Sequence, residues 1–323
     1  MGKPPHPSAL LPPSPCQGEG WGEVHKNIFL SLFKADSRVA MLQINVDELL
    51  RTKASKAYRF IPRFLINYVR RTVHEEEINK FLAENENTKG IAFVDGALAS
   101  MGANVFIEGI ENIPKEGGYI FAANHPLGGL DGLAIINSIA KVRTDIKFFV
   151  NEILLNLKNL DDILVPVNIN GNSTRPMLEM VDTIYKSDNA IPIFPAGLVS
   201  RRQPDGSIKD LRWKKSFITK AKDYKKDIIP IWVEGRNSNF FYNFAMWRKK
   251  LGIKVNIEMF FLPDEMFGQR NKRIVLHFGK PVSFTTFMEC NNDAKMAIMF
   301  QDALYDKKEK IVNKTLFTSP IKL

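Results

Sequence analysis

Residues 118–142 read GYIFAANHPLGGLDGLAIINSIAKV: an apolar run, a turn dense in proline and glycine, then apolar residues at helical spacing. A strand over 118–124 and a helix over 131–142 place the turn at the carboxyl end of a strand, where open α/β sheets put their ligands. Pro126, Gly128 and Gly129 demand a tight, non-helical turn. Such a turn folds Asp131 back towards the imidazole of His125. A carboxylate bonded to one ring nitrogen fixes the tautomer and leaves the other nitrogen as a general base. The same residues allow a plainer account, in which Asp131 is only the N-cap of the helix and His125 a satisfied polar residue at a strand end.

On either side the alternation continues. Strands are expected at NVFIEGI (104–110), IKFFVN (146–151), ILVPVNI (163–169), AIPIFPA (190–196), IIPIWVE (228–234), VNIEMFFL (255–262) and RIVLHFG (273–279). Helices are expected at STRPMLEMVDTIYKS (173–187), at LRWKKSFITKAKDY (211–224) and within 292–315. This interleaving predicts an α/β fold, with a mixed, largely parallel sheet flanked by helices. Residues 46–82 carry apolar side chains three and four apart, with Pro62 as a break, and predict an N-terminal helical segment. Within it, Phe60, Ile61, Phe64, Leu65 and Tyr68 interleave with Arg59, Arg63, Arg70 and Arg71, which suits either a lipid interface or a core-packed helix with its arginines in water. Residues 1–40, rich in Pro and Gly, read as a disordered or non-native extension, with Met41 as the biological start. Then come a helical membrane-facing segment over 41–100, a catalytic domain over 101–290, and a C-terminal helix and tail over 291–323.

The 323 residues are 45% hydrophobic, enough to bury a full core. Cys16 and Cys290 make neither a disulfide framework nor a four-thiolate site, and the histidines show no metal-ligand spacing, so no metal is expected. No apolar run reaches the roughly 20 residues that span a bilayer, so any membrane contact is expected to be peripheral. A net charge of +10 and a pI of about 9.4 suit an anionic partner: nucleic acid, an acidic lipid surface or a phosphorylated carrier. The basic runs at 247–250 and 306–314 carry no motif that reads a nucleic acid, which leaves solvent or lipid headgroups. NFFYNFAMW (239–247) reads as core, acyl-chain pocket or interfacial patch.

NHPLGGLDG (124–132) resembles the first motif of the glycerolipid acyltransferase superfamily, the family of lysophosphatidic acid acyltransferases, in which Asn-His is followed by four residues and then Asp. Three later segments fall in the family's order. ILVPVNINGNSTRP (163–176) lies at the second motif, IPIFPAGLVSRR (191–202) is similar to FPEGTRS, and IIPIWVEG (228–235) is similar to the last, proline-bearing strand. RWKKSFITKA (212–221) and HFGKPVSF (277–284) resemble the helix after FPEGTRS and the closing strand, so the likeness covers residues 104–285. The resemblance implies acyl transfer, with His125 as general base and Asp131 as its orienting partner. It further implies substrate-binding roles for Asn124, Gly128, Gly129, Arg175, Pro195, Ala196, Gly197, Ser200, Arg201 and Lys214. Backbone N–H groups near Gly128 and Gly129, or in the Gly197 turn, are candidates for the oxyanion. Arg175, Arg201 and Arg202 are candidates for holding a phosphate or carboxylate.

The chain departs from the family pattern in places. Five residues separate His125 from Asp131, Ala196 stands where the family has Glu, and Asn168 has no Arg in its place. NHPLGGLD with FPAG is similar to the branch of ornithine- and glycine-lipid acyltransferases, often labelled haemolysin-like. That branch implies an O-acyltransferase of membrane-lipid biosynthesis, moving a fatty acyl group from an acyl carrier protein or coenzyme A thioester to a lyso-lipid hydroxyl. A lyso-amino-acid lipid is favoured over lysophosphatidate as acceptor. It implies no bound cofactor, acyl carrier protein docking on a basic rim, no nucleic acid, and peripheral attachment to anionic lipid on the cytoplasmic face of the cell membrane. The rival of another class is a non-catalytic basic module that binds lipid or nucleic acid.

Overall fold

The computed structural model describes residues 43–53, 58–151, 157–167, 174–253, 256–288 and 290–306. The 1–40 extension, Met41, the centre of the second motif at 168–173 and the chain beyond 306 lie outside the described residues.

Among the described residues the strands are β1 (Asn104–Glu108), β2 (Tyr119–Ala123), β3 (Phe148–Asn151), β4 (Leu164–Val167), β5 (Ala190–Ile193), β6 (Arg201–Arg202), β7 (Ile208–Lys209), β8 (Ile228–Val233) and β9 (Arg273–Phe278). The central sheet has the order β1-β9-β8-β2-β5. β2 runs parallel to both β5 and β8, β1 runs parallel to β9, and only β8 and β9 meet antiparallel. β3 and β4 pair in parallel and join β5 through the bridge between Ile146 and Ala190. The sheet is mixed and largely parallel, as the alternation predicts.

β2 explains why the site sits where it does. Its run YIFAA is apolar throughout because helices cover both faces of the strand. Phe121 and Ala123 point to one face, with Ile229, Ile231 and Phe278, against the helices Gly90–Ser100 and Gly129–Ala140. Ile120 and Ala122 point to the other, with Ile191 and Ile228, against Phe217 and Ile218 of the helix Ser216–Asp223 and Phe300 of the helix Asp293–Asp306. Period-two alternation therefore feeds two cores from one strand.

N-terminal to the sheet lie the helices Val46–Lys53, Arg63–Thr72, Glu75–Glu84 and Gly90–Ser100. Pro62 is extended and caps the second of them, which is why the helical pattern breaks there. The first is tied back where the Val46 N–H donates to Glu75 and where Asn79 exchanges two hydrogen bonds with the Ile44 backbone.

Two expectations need correction. VNIEMFFL is not a strand: Ile257–Phe261 forms a 3-10 turn that runs into the helix Leu262–Phe267, with Pro263 in the first turn of that helix. Glu258 is buried between Arg201 and Arg248, so that ion pairing, not sheet pairing, holds the segment. LRWKKSFITKAKDY is helical only from Ser216, because Gln301 ties down the backbone of Leu211 and Trp213 ahead of it. NFFYNFAMW forms the start of the helix Asn239–Lys250, with Phe241, Tyr242 and Ala245 buried and Phe240 and Trp247 exposed.

Gly109 closes β1 with φ +76°, and a Cβ there would overlap the Phe278 carbonyl oxygen, which also accepts a bond from Asn112 Nδ2 at 2.8 Å. Gly109→Ala is expected to destabilise the fold by about 2 kcal/mol or more. The shift of the urea unfolding midpoint measures it; an unchanged midpoint would contradict this packing.

Candidate active site

His125 leaves the end of β2 as the first residue of the turn, and Asn124 just before it anchors that end. Asn124 Nδ2 donates to the Val233 carbonyl at 2.9 Å and the Val233 N–H donates to Asn124 Oδ1 at 2.7 Å, which extends the β2–β8 pairing by a side chain. The chain then folds back on Asp131, the third residue of the helix Gly129–Ala140. Asp131 Oδ2 lies 2.9 Å from His125 Nδ1 and accepts the N–H groups of Leu127 at 2.8 Å and Gly128 at 3.1 Å. Gly128, with φ +86°, supplies the left-handed residue that lets the five-residue spacing close.

Asp131 is fully buried, and its Oδ1 has no partner among the described residues. Burial pushes its carboxyl above the ordinary range, while the His125 ring and the Leu127 and Gly128 amides pull it back. A carboxylate accepts, so Nδ1 carries the ring proton and Nε2 is left with its lone pair. The ring also stacks on Phe194, 3.8 Å between centroids and 16° between planes, and the side chain is 16% exposed. These contacts fix the ring in place and leave Nε2 as the nitrogen not bonded to the carboxylate, the arrangement general-base catalysis needs. Asp131 is thus not the N-cap, which is Gly128, but the N3 residue, whose carboxylate accepts the N-cap N–H and also bonds the His125 ring.

A second buried carboxylate supports His125 from its backbone side. Asp210 Oδ1 accepts the His125 N–H at 3.2 Å and Ser200 Oγ at 2.5 Å, and its Oδ2 accepts Trp213 Nε1 at 3.0 Å. The Ser200 N–H donates to the His125 carbonyl at 2.8 Å, so the FPAG turn and the histidine turn are stitched together. Burial raises the Asp210 carboxyl, opposed by Ser200, Trp213 and the nearby His125. The C-terminal helix completes the cage: the Asp210 N–H donates to Tyr305 Oη at 2.7 Å.

The remaining sequence-derived candidates fall into two groups. Pro195, Ala196, Gly197 and Lys214 come together: the Lys214 N–H donates to the Pro195 carbonyl at 3.1 Å, Ala196 is buried, and Lys214 Nζ lies against Gly197. The Gly128 amide is committed to Asp131 and the Gly197 amide to the Phe194 carbonyl, whereas the Gly129 N–H opens the helix with no partner among the described residues. Arg201 turns away, with its guanidinium 2.9 Å from Glu258 Oε1 and over the Phe241 ring. Arg175 is 91% exposed and pairs with Glu179 of its own helix at 2.9 Å.

A family model described as Acyltransferase matches residues 48–312. The chain belongs to the acyltransferase family. It is 43% identical over 267 residues to a Bacteroides thetaiotaomicron protein named lyso-glycine lipid O-acyltransferase, covering 82% of this chain and 98% of that one. A Phocaeicola vulgatus protein of the same name is 43% identical over 263 residues, covering 81% of this chain and 94% of that one. The crystal structure of the 1-acyl-sn-glycerophosphate (LPA) acyltransferase PlsC from Thermotoga maritima aligns with a TM-score of 0.41 at 16% identity, covering 83% of this chain and 95% of its own. This acyltransferase is an enzyme, which sets aside the non-catalytic binding module.

Asp210, Gln301 and Tyr305 went unnoticed in the sequence, since nothing local to KDLRW marks an aspartate that meets a histidine 85 positions away. Asp210→Asn keeps the shape but turns an amide N–H towards at least one donor. It is expected to lower stability by about 1–3 kcal/mol and to reduce kcat with little change in KM, read by thermal melting and steady-state kinetics. Wild-type kcat in this variant would deny Asp210 its supporting part.

Proposed function

We propose that this acyltransferase moves a fatty acyl group from a thioester to the hydroxyl of a lyso-glycine lipid. The observation that carries the reading is the 43% identity to a protein of that name across 98% of its length. Two features of the site support it: Ala196 replaces the family glutamate, and the Arg201 guanidinium is already engaged by Glu258 rather than free for a phosphate monoester. His125 Nε2 removes the hydroxyl proton as the oxygen attacks the thioester carbonyl carbon. The carbon–sulfur bond then breaks, and the departing thiolate takes the proton from Nε2. Asp131 holds the ring and balances the charge of the imidazolium between those steps. Gly129 N–H is our candidate for the oxyanion donor. The donor is acyl carrier protein or coenzyme A; the exposed Arg212, Lys214 and Lys215 beside the FPAG turn suit the acidic carrier.

General-base transfer contributes about a hundred- to ten-thousandfold, so His125→Ala is expected to lose at least about a hundredfold in turnover while its melting temperature stays close to wild type. Lyso-glycine lipid should accept acyl groups from either thioester. Transfer to lysophosphatidate alone would overturn the acceptor.

The enzyme is read as working peripherally on the cytoplasmic face of the cell membrane. No helix among the described residues is long and apolar enough to cross a membrane. On the helix Arg63–Thr72 only Ile66 and Thr72 are buried, while Phe60 and Phe64 stand 73% and 74% exposed beside Arg59, Arg63, Arg70 and Arg71. Apolar side chains flanked by cations favour the lipid interface over the core-packed alternative. Phe64→Asp with Leu65→Asp is expected to weaken binding to anionic vesicles by about tenfold or more in a sedimentation assay. Undiminished binding would move the contact elsewhere.

A further inference from the structure

Two arginines outside the catalytic constellation share one acceptor. Arg202 Nη2 lies 3.1 Å and Arg236 Nη2 lies 2.6 Å from the same atom, Asn239 Oδ1. Two guanidinium groups on one neutral oxygen repel each other, and among the described residues no carboxylate lies within ion-pair distance of either. The neighbouring acids are occupied: Glu258 by Arg201 and Arg248, and Glu265 by the N–H and hydroxyl of Ser238. Arg202 Nε is buried with no partner. Between the arginine and the helix, Asn237 is 1% exposed, and neither polar atom of its carboxamide has a partner. Buried polar groups are nearly always satisfied, so orphans gathered on one stretch mark a place where something polar binds.

That place borders the catalytic turn on two sides. Arg202 lies two residues after Ser200, whose N–H holds the His125 carbonyl, and Arg236 lies three residues beyond the end of β8, which is stitched to Asn124. Gly235 approaches so closely that a Cβ would meet the Leu127 side chain at 2.8 Å. Tyr242, on the same helix as Asn239, lies within electrostatic reach of both Arg236 and Asp131. The partial positive charge at the start of the helix Asn239–Lys250 adds to the two cations.

We propose that Arg202 and Arg236, gathered on Asn239, bind the free carboxylate that a glycine joined to a lipid through its nitrogen presents, and so orient the acceptor towards His125. This rests on the acceptor proposed above. A planar carboxylate takes bidentate bonds from guanidinium and relieves the repulsion between the two cations. The other anion in the reaction is the phosphate of the donor's pantetheine arm, and kinetics separate the two.

Steady-state rates of the full chain are measured for wild type, Arg202→Gln, Arg236→Gln and Arg236→Lys, varying lyso-glycine lipid and acyl donor in turn, with the acceptor's carboxamide analogue in parallel. Either glutamine variant should raise the acceptor KM roughly ten- to a hundredfold and leave the donor KM unchanged. Wild type should prefer the acid to the amide by a similar factor, a preference the glutamine variants lose and the lysine variant partly keeps. A rise in donor KM instead, or an unchanged acceptor KM in variants that melt like wild type, overturns the proposal while leaving the acceptor assignment standing. Wild-type enzyme that acylates lysophosphatidate and not the glycine lipid overturns both.

Discussion

Asp131 Oδ2 collects a ring N–H from His125 and two backbone N–H groups, all inside a protein interior that excludes water from the carboxylate. A buried carboxylate is costly unless donors surround it, and hydrogen bonds to a charged group contribute about 1.5–3 kcal/mol each. Here two of the three donors come from the turn's own backbone. The turn and the carboxylate therefore support each other: the turn's amides and the His125 ring offset part of what burial costs the carboxylate, whose carboxyl still stands above its ordinary range, and the carboxylate in turn satisfies those N–H groups. His125 inherits its place from that mutual dependence.

The rest of the site continues the same logic outward. Asn124 fixes the start of the turn to the centre of the sheet, Phe194 fixes the plane of the ring, and Asp210 fixes the His125 backbone together with Ser200. Two buried carboxylates thus bracket one histidine, one acting on its ring and the other on its main chain. In the role proposed for it, a histidine held on both counts loses little further freedom when the reaction begins.

Much of this was legible in the sequence because its signals are local. Short apolar runs marked the sheet, and proline and glycine marked the turn after β2. The ordered motifs carried the family resemblance on which the proposed roles of His125 and Asp131 rest. What stayed hidden depends on partners distant in the chain. Arg201 stood out by motif position, but the carboxylate that takes up its charge is Glu258, inside a segment whose apolar pattern reads as a strand. Asp210 had no local signature, since its meaning lies in His125, Ser200 and Tyr305. The pairing of Arg202 with Arg236 is set by where β6 and the end of β8 come to lie, which only the tertiary structure reveals.

The helix Asp293–Asp306 reaches back across the molecule to hold Asp210 through Tyr305 and the adjoining backbone through Gln301. Chains fold as they leave the ribosome, amino-terminal parts first. The sheet, the turn that carries His125, and Arg202 and Arg236 are all synthesised before Gln301 and Tyr305. The hold that Tyr305 and Gln301 exert on Asp210 and its neighbours is therefore the last of these contacts to become possible as the chain is made.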